Sequence, residues 1–342
     1  MSHRSRRRTA VASAVASAVA VAVVCVVAGA VIQVAGARGT GAAAPRPAPV
    51  AVSAAQPAVG GRDCAPVTTT PPPPPASLPG HVDSLALGGH TVIVDVPGAY
   101  AVLPATRFPV VYFLHGSPGA AADWLGSGST LPTILDNLYA NGQLMPMIAV
   151  FPDDRGVTGD DSWWGDTALG DSVESWLTGQ LVPAVDTRYR TMGARHRGIA
   201  GVSAGGFGAV NISIRHPGMF DWTASYSGVF TAPADLFGAA AASNSPEITA
   251  AALPATARAP LYLGAGAGDT EFLADTEQFA ATVQSLGWSP LRTEVVPGPH
   301  GWEAWQVEAQ DSLEWLGQLW GANLLQIPAV PAAVVPRDGC AS

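Results

Sequence analysis

The chain has 342 residues, of which 48% are hydrophobic and 13% charged. This composition excludes a charge-dominated disordered protein and allows one large domain with extensions. All 17 basic residues are arginines, and five of them lie within the first 44 residues, which contain no acid. The rest of the chain therefore carries 12 arginines (17 minus 5) against 26 acidic residues. This excess of negative charge should repel phosphate backbones, which argues against a nucleic-acid partner.

The N-terminus has the features of an export segment. Four arginines within residues 4–8 are followed by an uncharged, Ala/Val-rich run over residues 10–35. That 26-residue run could cross a bilayer as a helix, whereas Ala35-Gly36-Ala37 supplies a small-residue cleavage site. Residues 1–38 are thus either a cleaved signal peptide or an uncleaved signal anchor, and only the anchor would keep the chain in contact with a membrane. Both alternatives predict an extracytoplasmic protein, either secreted or membrane-anchored.

Two Pro/Ala-rich segments flank the predicted folded domain. Residues 39–80 include five consecutive prolines at 71–75, and proline fixes φ and removes backbone donors, so this segment is predicted to be an extended linker. Residues 322–342 return to the same composition and are predicted to be a C-terminal tail. Residues 81–321 between them are the predicted domain.

The three cysteines, Cys25, Cys64 and Cys340, match neither a zinc-binding spacing nor a C-x-x-C redox motif. Cys25 lies inside the export segment, so the exported part keeps two. An oxidising compartment favours a disulfide, and domain termini often lie close together, which predicts a Cys64–Cys340 bridge. Free or intermolecular thiols are the alternative.

Short apolar runs alternate with amphipathic stretches along the domain. The predicted strands cover residues 91–96, 109–114, 147–151, 197–202, 260–263 and 292–296. The predicted helices cover residues 130–140, 172–185, 205–215, 270–286 and 303–319. Near-continuous apolar strands that alternate with helices are typical of a mostly parallel sheet covered on both faces, so the fold class is α/β.

The sequence Gly201-Val202-Ser203-Ala204-Gly205 is a G-x-S-x-G motif between a predicted strand and a Gly/Ala-rich helix. In this context the serine lies on a sharp turn, where glycines remove side chains that would clash. The start of the following helix directs N–H groups and a partial positive charge toward the reacting centre. The motif predicts Ser203 as a nucleophile, the alternative being an ordinary glycine-rich turn.

A serine nucleophile needs a base, and two histidines follow Ser203 in the chain. His216 is predicted to end the helix that begins at the motif, so it should point away from the serine. His300 lies in a loop between the last strand and the last helix. Because loops at the carboxyl ends of parallel strands face the site, His300 is the predicted base.

The acid that orients the base should lie between the serine and the histidine in the chain. Asp269 follows the strand Leu261-Tyr262-Leu263 and a run of alternating glycine and alanine, and is the preferred candidate. Glu271 and Asp275 are alternatives, although both also fit the first turns of a helix, where the dipole favours acids.

Two backbone N–H groups should form the oxyanion hole, one after the nucleophile and one after an earlier strand. Ala204 supplies the first. The second is assigned to Ser117, in the loop that follows the strand PVVYFL. His115 in the same loop precedes the nucleophile, so a role in shaping the loop is preferred to a role as base.

Two further groups of residues have side chains that suit a binding role. The pairs Asp153-Asp154 and Asp160-Asp161 could bind calcium, but solvated loop acids are commoner, and no metal or cofactor is predicted. Tryptophans in loops after strands could line a substrate pocket or pack the loops; they are Trp124, Trp163, Trp164 and Trp302.

From about residue 92 to residue 320 the chain resembles the esterase D and antigen 85 mycolyltransferase family of α/β-hydrolases. The matching segments are PVVYFLHG, MIAVFPDD, LVPAVDTRYRT, GIAGVSAGGFGAV, RHPGMFDW, SYSG and HGWEAW. The resemblance implies an α/β-hydrolase catalytic domain over residues 81–321 and ester cleavage through an acyl-enzyme on Ser203. Mycolyltransferases differ in the oxyanion loop, and their acid is a glutamate, which keeps Glu271 in consideration.

The sequence thus predicts an exported serine esterase that acts on a small-molecule or lipid ester. The alternative is an acyltransferase that passes the acyl group to a sugar or an envelope alcohol. Both reactions form the same acyl-enzyme and differ only in whether water or an alcohol then takes the acyl group. A non-catalytic, wall-associated protein on the same fold is the third hypothesis. The presence of Ser203, Asp269 and His300 together argues against it.

Overall fold

The computed structural model describes residues 67–68, 78–126, 128–155, 162–321 and 334–335. All of them belong to one compact unit that spans residues 64–342. The predicted export segment, most of the linker, Cys64 and Cys340 lie outside the described residues. Within the described part of the chain, no helix is both long enough and apolar enough to cross a membrane.

The described strands form two sheets. A two-stranded antiparallel sheet joins β1 to β10, with Val67 opposite Val335. The other eight strands form one sheet in the order β2-β3-β5-β4-β6-β7-β8-β9. The strand bounds are β1 Val67–Thr68, β2 His81–Leu87, β3 His90–Val96, β4 Val110–Leu114, β5 Ile148–Pro152, β6 Arg197–Val202, β7 Trp222–Tyr226, β8 Leu261–Gly266, β9 Leu291–Val296 and β10 Val334–Val335.

In the large sheet, β3 pairs antiparallel with both β2 and β5, and all the other pairs are parallel. The predicted mostly parallel α/β fold is therefore confirmed. Two strands of this sheet, β2 and β7, were not predicted, and neither were β1 and β10 of the small sheet. In β7 the apolar run is interrupted by Thr223 and Ser225, both of which are buried.

Helices lie between the strands in the chain. Their bounds are α1 Ala99–Val102, α2 Leu131–Ala140, α3 Val173–Trp176, α4 Val182–Arg188, α5 Ala204–Arg215, α6 Ala234–Phe237, α7 Pro246–Thr249, α8 Thr270–Ser285 and α9 Trp302–Trp320. A π-helical turn, Leu177–Leu181, joins α3 to α4. Short 3-10 turns occupy Ala121–Leu125, Gly193–His196, Gly238–Ala240, Ala242–Asn244, Ala250–Ala252 and Ala255–Ala257.

Strand β4 shows how the sheet is covered on both faces. Val111 and Phe113 pack into an apolar cluster with residues of α2 and α9. Val110, Tyr112 and Leu114 pack into a second cluster with residues of α3, α4 and α5 on the opposite face. Since successive side chains of a strand point to opposite faces, a strand buried on both sides is apolar throughout. The carboxyl ends of these parallel strands meet at one edge, which carries the candidate site.

Candidate active site

Ser203 lies at a strained turn between β6 and α5. Its φ of 55° and ψ of −120° fall in a region that non-glycine residues rarely adopt. The two motif glycines make the turn possible: a Cβ on Gly201 would lie 2.3 Å from the backbone of Gly205, and a Cβ on Gly205 would lie 2.3 Å from the carbonyl oxygen of Leu114. The Ser203 N–H donates to the carbonyl oxygen of Tyr226 at 2.8 Å. The turn is therefore held by the ends of β4 and β7.

Ser203, His300 and Asp269 lie within hydrogen-bond distance of one another in series. His300 Nε2 lies 3.0 Å from Ser203 Oγ, and His300 Nδ1 lies 2.5 Å from Asp269 Oδ2. Asp269 is 5% exposed and Ser203 9%, whereas the His300 side chain is 30% exposed. In this arrangement the acid orients the imidazole and leaves Nε2 available to the serine.

Main-chain hydrogen bonds connect the loops that carry the acid and the base. Ala267 N–H donates to the carbonyl oxygen of Val296 at 2.7 Å, and Gly268 N–H donates to that of Gly298 at 2.8 Å. Gly298 has a φ of 124°, and a Cβ there would lie 3.0 Å from the backbone of Ala304. The position therefore suits glycine for two reasons.

Two aromatic rings hold the His300 imidazole. Phe272 stacks on it with a ring-centroid distance of 3.8 Å, and Trp305 meets it edge-on at 5.0 Å. Sequence reasoning did not identify either ring as part of the site. Phe272 is the third residue of α8, so the apolar residue just after Asp269 was the available signal.

Neither alternative candidate for the acid pairs with His300 among the described residues. Glu271 and Asp275 are both exposed on α8. His216 ends α5, as predicted, and its Nε2 lies 2.8 Å from Glu174 Oε1. Burial alone would raise the pKa of Glu174, but hydrogen bonds from His216 and Arg215 outweigh that effect and lower it. His216 therefore belongs to a polar cluster around the buried carboxyl group of Glu174.

The loop after β4 passes directly beside the serine. A Cβ on Gly116 would lie 3.3 Å from Ser203 Cβ. Ala204 is the first residue of α5, and the N–H of a first helical residue has no acceptor within its helix. The peptide bond between Ser117 and Pro118 is cis. The predicted oxyanion donors, Ser117 and Ala204, thus belong to the two segments that flank the nucleophile.

His115 is fully buried and is bonded within this loop region. Its Nδ1 lies 2.8 Å from the carbonyl oxygen of Gly116, and its Nε2 accepts the Asp154 N–H at 3.2 Å. In this pairing Nδ1 is the donor to the Gly116 carbonyl oxygen. Trp164 Nε1 donates to the His115 carbonyl oxygen at 3.0 Å. These bonds fix the loop beside Ser203.

Side-chain ligand atoms of His115, Asp153 and Asp154 lie within 4.8 Å of one another, a spacing that could hold a metal ion. Both nitrogens of His115 already have protein partners, and Arg155 Nη2 donates to Asp153 Oδ2 at 2.7 Å. Burial would raise the pKa of Asp153, but the hydrogen bonds from Arg155 lower it. Asp160 and Asp161, the second pair considered for calcium, lie outside the described residues.

The four predicted pocket tryptophans differ in exposure. Trp124 is 0% and Trp164 1% exposed, so loop packing, the alternative to a pocket surface, describes these two better. Both rings are buried because they pack against the sheet and the oxyanion loop. Trp163 and Trp302 are partly exposed, and Trp163 contacts the ring of Phe207 on α5 at a centroid distance of 5.8 Å. These two remain candidates for the substrate surface.

Comparisons with known proteins agree with this architecture. The model of the Esterase family, described as "Putative esterase", matches residues 87–316, more than half of the chain. A solved ferulic acid esterase superposes with a TM-score of 0.61 at 24% identity, over 70% of this chain and 98% of that chain.

Two curated relatives match parts of the sequence. An endo-1,4-beta-xylanase/feruloyl esterase of Xylanibacter ruminicola is 32% identical over 124 residues, which are 36% of this chain and 17% of that protein. An uncharacterised protein of Corynebacterium glutamicum is 24% identical over 255 residues, which are 67% of this chain and 57% of that protein. The chain thus spans less than two thirds of the length of either relative. The extent of the family match, together with the fold, shows that the chain belongs to the Esterase family of α/β-hydrolases.

Proposed function

We propose that the protein is an exported serine esterase that cleaves carboxylic esters through an acyl-enzyme on Ser203. The observation that carries the proposal is the series Ser203 Oγ, His300 and Asp269, with separations of 3.0 Å and 2.5 Å. The nucleophile lies in a strained turn at the start of a helix, a context that is typical of ester-cleaving hydrolases.

In the first half of the reaction, His300 Nε2 takes the proton of Ser203 Oγ as the oxygen attacks the ester carbonyl carbon. The N–H groups of Ala204 and Ser117 stabilise the oxyanion that develops. Asp269 keeps the proton of His300 on Nδ1 and stabilises the imidazolium. The imidazolium then gives its proton to the leaving alcohol, the carbon–oxygen bond breaks, and the acyl group remains on Ser203.

In the second half, a water molecule loses a proton to His300 and attacks the acyl carbon. The bond from that carbon to Ser203 Oγ breaks, the imidazolium returns the proton to Oγ, and the acid leaves. An acyltransferase would admit a sugar hydroxyl at this step. We propose hydrolysis of a small-molecule ester as the main activity. Support comes from the relatives whose names specify feruloyl or ferulic acid esterases.

The test uses p-nitrophenyl esters with and without a sugar acceptor, and the products are analysed as free acid or transferred ester. Ser203→Ala should lower kcat by about 10³-fold or more, and a fluorophosphonate probe should label Ser203 in the wild type. The matched control is Ser285→Ala on the exposed end of α8, which should leave both readouts unchanged. Full activity in Ser203→Ala would refute the proposal, and transferred ester as the main product would replace hydrolysis by acyl transfer.

We also propose that a Cys64–Cys340 disulfide joins the two ends of the exported part. The pairing of β1 with β10 supports it, since Val67 lies opposite Val335. Cys64 precedes Val67 by three residues in the sequence, and Cys340 follows Val335 by five. The segment before the domain and the segment after it are therefore paired within a few residues of the two cysteines, and a disulfide requires such proximity.

A further inference from the structure

Glu308 is a buried acid, close to the strands that carry the catalytic groups, that the proposed mechanism does not use. Glu308, on α9, is 0% exposed. Its Oε1 accepts a hydrogen bond from Ser227 Oγ at 3.4 Å. Its Oε2 has no hydrogen-bond partner among the described residues. Within the same part of the chain, no arginine or histidine pairs with Glu308. An unpaired buried charge is costly, so this environment favours the neutral acid.

Glu308 lies between two strand ends that carry parts of the site. Ser227 follows β7, whose last residue, Tyr226, accepts the Ser203 N–H at 2.8 Å. The Ser227 N–H in turn donates to the carbonyl oxygen of Gly264 in β8 at 2.8 Å. Asp269 follows Gly264 by five residues and the end of β8 by three. Ser227 has a φ of 50°, so the contact with Glu308 holds a strained residue at this junction.

Glycine at position 264 leaves room for the Glu308 carboxyl group. A Cβ there would lie 3.0 Å from Glu308 Oε2 and 2.9 Å from the Tyr262 ring. The hydroxyl of Tyr262 is also buried and has no hydrogen-bond partner among the described residues. Tyr226 Oη, in contrast, is paired with Ser312 Oγ at 2.7 Å. The Glu308 carboxyl group thus fits between β7 and β8, and its polar neighbours there are serine and tyrosine hydroxyls.

We propose that Glu308 is a positioning residue, which as a neutral carboxylic acid connects the strand end that holds Ser203 to the one that leads to Asp269. The proposal rests on the proposed function, because it assigns Asp269 as the one charged acid behind His300. A second negative charge here would change the electrostatics of the Asp269–His300 pair.

The titratable neighbours agree with a neutral Glu308. Burial, and to a smaller extent the negative charge of Asp269, raise the pKa of Glu308 to about 8, although the hydrogen bonds from Ser227 act in the opposite direction. The titratable groups that act on Glu308 or on its tyrosine neighbours from β7, β8 and the following loop are Tyr226, Tyr262 and Asp269. On β9, Arg292 lies opposite Tyr262 but pairs with Glu294 rather than with Glu308.

Three variants separate protonation from packing. Glu308→Gln keeps a neutral acceptor of the same size, and kcat at neutral pH should stay within about threefold of the wild type. Glu308→Met keeps an unbranched side chain but cannot accept from Ser227, and kcat should fall about tenfold or more as the turn shifts. KM should change little in both variants, because Glu308 does not line the surface. The matched control is Glu314→Gln on the same helix, which should leave kcat unchanged.

A stability measurement tests the protonation state without any activity assay. In the unfolded chain Glu308 loses its proton near the ordinary pKa of 4.5, whereas in the folded chain it keeps the proton to about pH 8. Because the folded state binds more protons in this window, wild-type stability should fall as the pH rises from about 5 to about 8. Glu308→Gln should lack this loss, so the difference between its Tm and the wild-type Tm should increase as the pH rises across the same window. The corresponding difference for Glu314→Gln should stay constant.

The outcomes are distinct. A Tm difference between Glu308→Gln and the wild type that does not vary with pH, or a kcat loss in Glu308→Gln as large as in Glu308→Met, would overturn the neutral acid. Wild-type kcat in a folded Glu308→Met would overturn the positioning role. If Ser203→Ala stays active, the proposed function fails instead, and the Tm comparison still decides the protonation of Glu308.

Discussion

Gly205→Ala tests whether the close approach of α5 to β4 is needed for catalysis. The added Cβ would lie 2.3 Å from the carbonyl oxygen of Leu114 and 2.5 Å from that of His115. Ordinary contact begins at 3.4 Å, so the two segments must separate by about 1 Å (3.4 minus 2.3). These segments carry the two proposed oxyanion donors, Ala204 and Ser117. A misplacement of about 1 Å should lower kcat on the order of 10²-fold.

The same clash should destabilise the fold by about 1–3 kcal/mol, as overpacking does elsewhere. The assay is kcat and KM with a p-nitrophenyl ester, the rate of fluorophosphonate labelling, and urea denaturation. The control is Gly179→Ala, an exposed helical glycine with no atom within 4 Å of its added Cβ. It should keep the wild-type kcat and gain up to about 1 kcal/mol of stability.

A folded Gly205→Ala variant with wild-type kcat would refute the reasoning. If the variant does not fold, Gly116→Ala provides a milder form of the test, since its Cβ would lie 3.3 Å from Ser203 Cβ. That variant should fold and show a smaller loss of kcat than the one expected for Gly205→Ala. Unchanged kcat in Gly116→Ala would equally contradict a tight fit between the loop and the nucleophile.

Two further predictions concern the acid and the cysteines. Asp269→Asn should lower kcat by about 10²–10⁴-fold, because the amide no longer holds His300 in the required tautomer. Glu271→Gln should keep a kcat near that of the wild type. The reverse ranking of the two variants would make Glu271 the acid. Non-reducing peptide mapping of the exported protein should recover Cys64 and Cys340 in one cross-linked peptide pair, and alkylation of both as free thiols would contradict the bridge.

Elements that are buried on both faces were predictable from the sequence. Strand β6 was predicted at its observed bounds, Arg197–Val202, and the start of α5 to within one residue. In both, the apolar pattern and the glycine motif agree with the tertiary packing. The series from Ser203 to Asp269 followed from motif order, because parallel strands bring their carboxyl ends to one edge of the sheet.

Features set by distant contacts were not predictable. Strand β8 extends to Gly266, although its glycines are typical of a loop, because it stays paired with β9 up to the contact between Gly266 and Val296. Glycine is needed at position 266 because a Cβ there would lie 2.5 Å from the Gly298 carbonyl oxygen. In β7, the hydroxyl of Thr223 is paired with Ser213 Oγ at 2.7 Å, so a polar residue is buried in a strand. Nothing in the sequence distinguishes Glu308 from the other polar residues of the predicted helix 303–319, because its burial depends on neighbours from other strands.

The hydrogen bonds between the two loops at the ends of β8 and β9 determine where the catalytic series can lengthen. Ala267 and Gly268 are bonded to the loop before His300, so the loops that carry the acid and the base are tied to each other directly. Ser203 belongs to a different pair of elements, β6 and α5. The 3.0 Å contact between His300 Nε2 and Ser203 Oγ is therefore the link of the series that joins these loops to the turn between β6 and α5. We expect a longer contact here to slow proton transfer from the serine while the imidazole stays paired with its carboxylate.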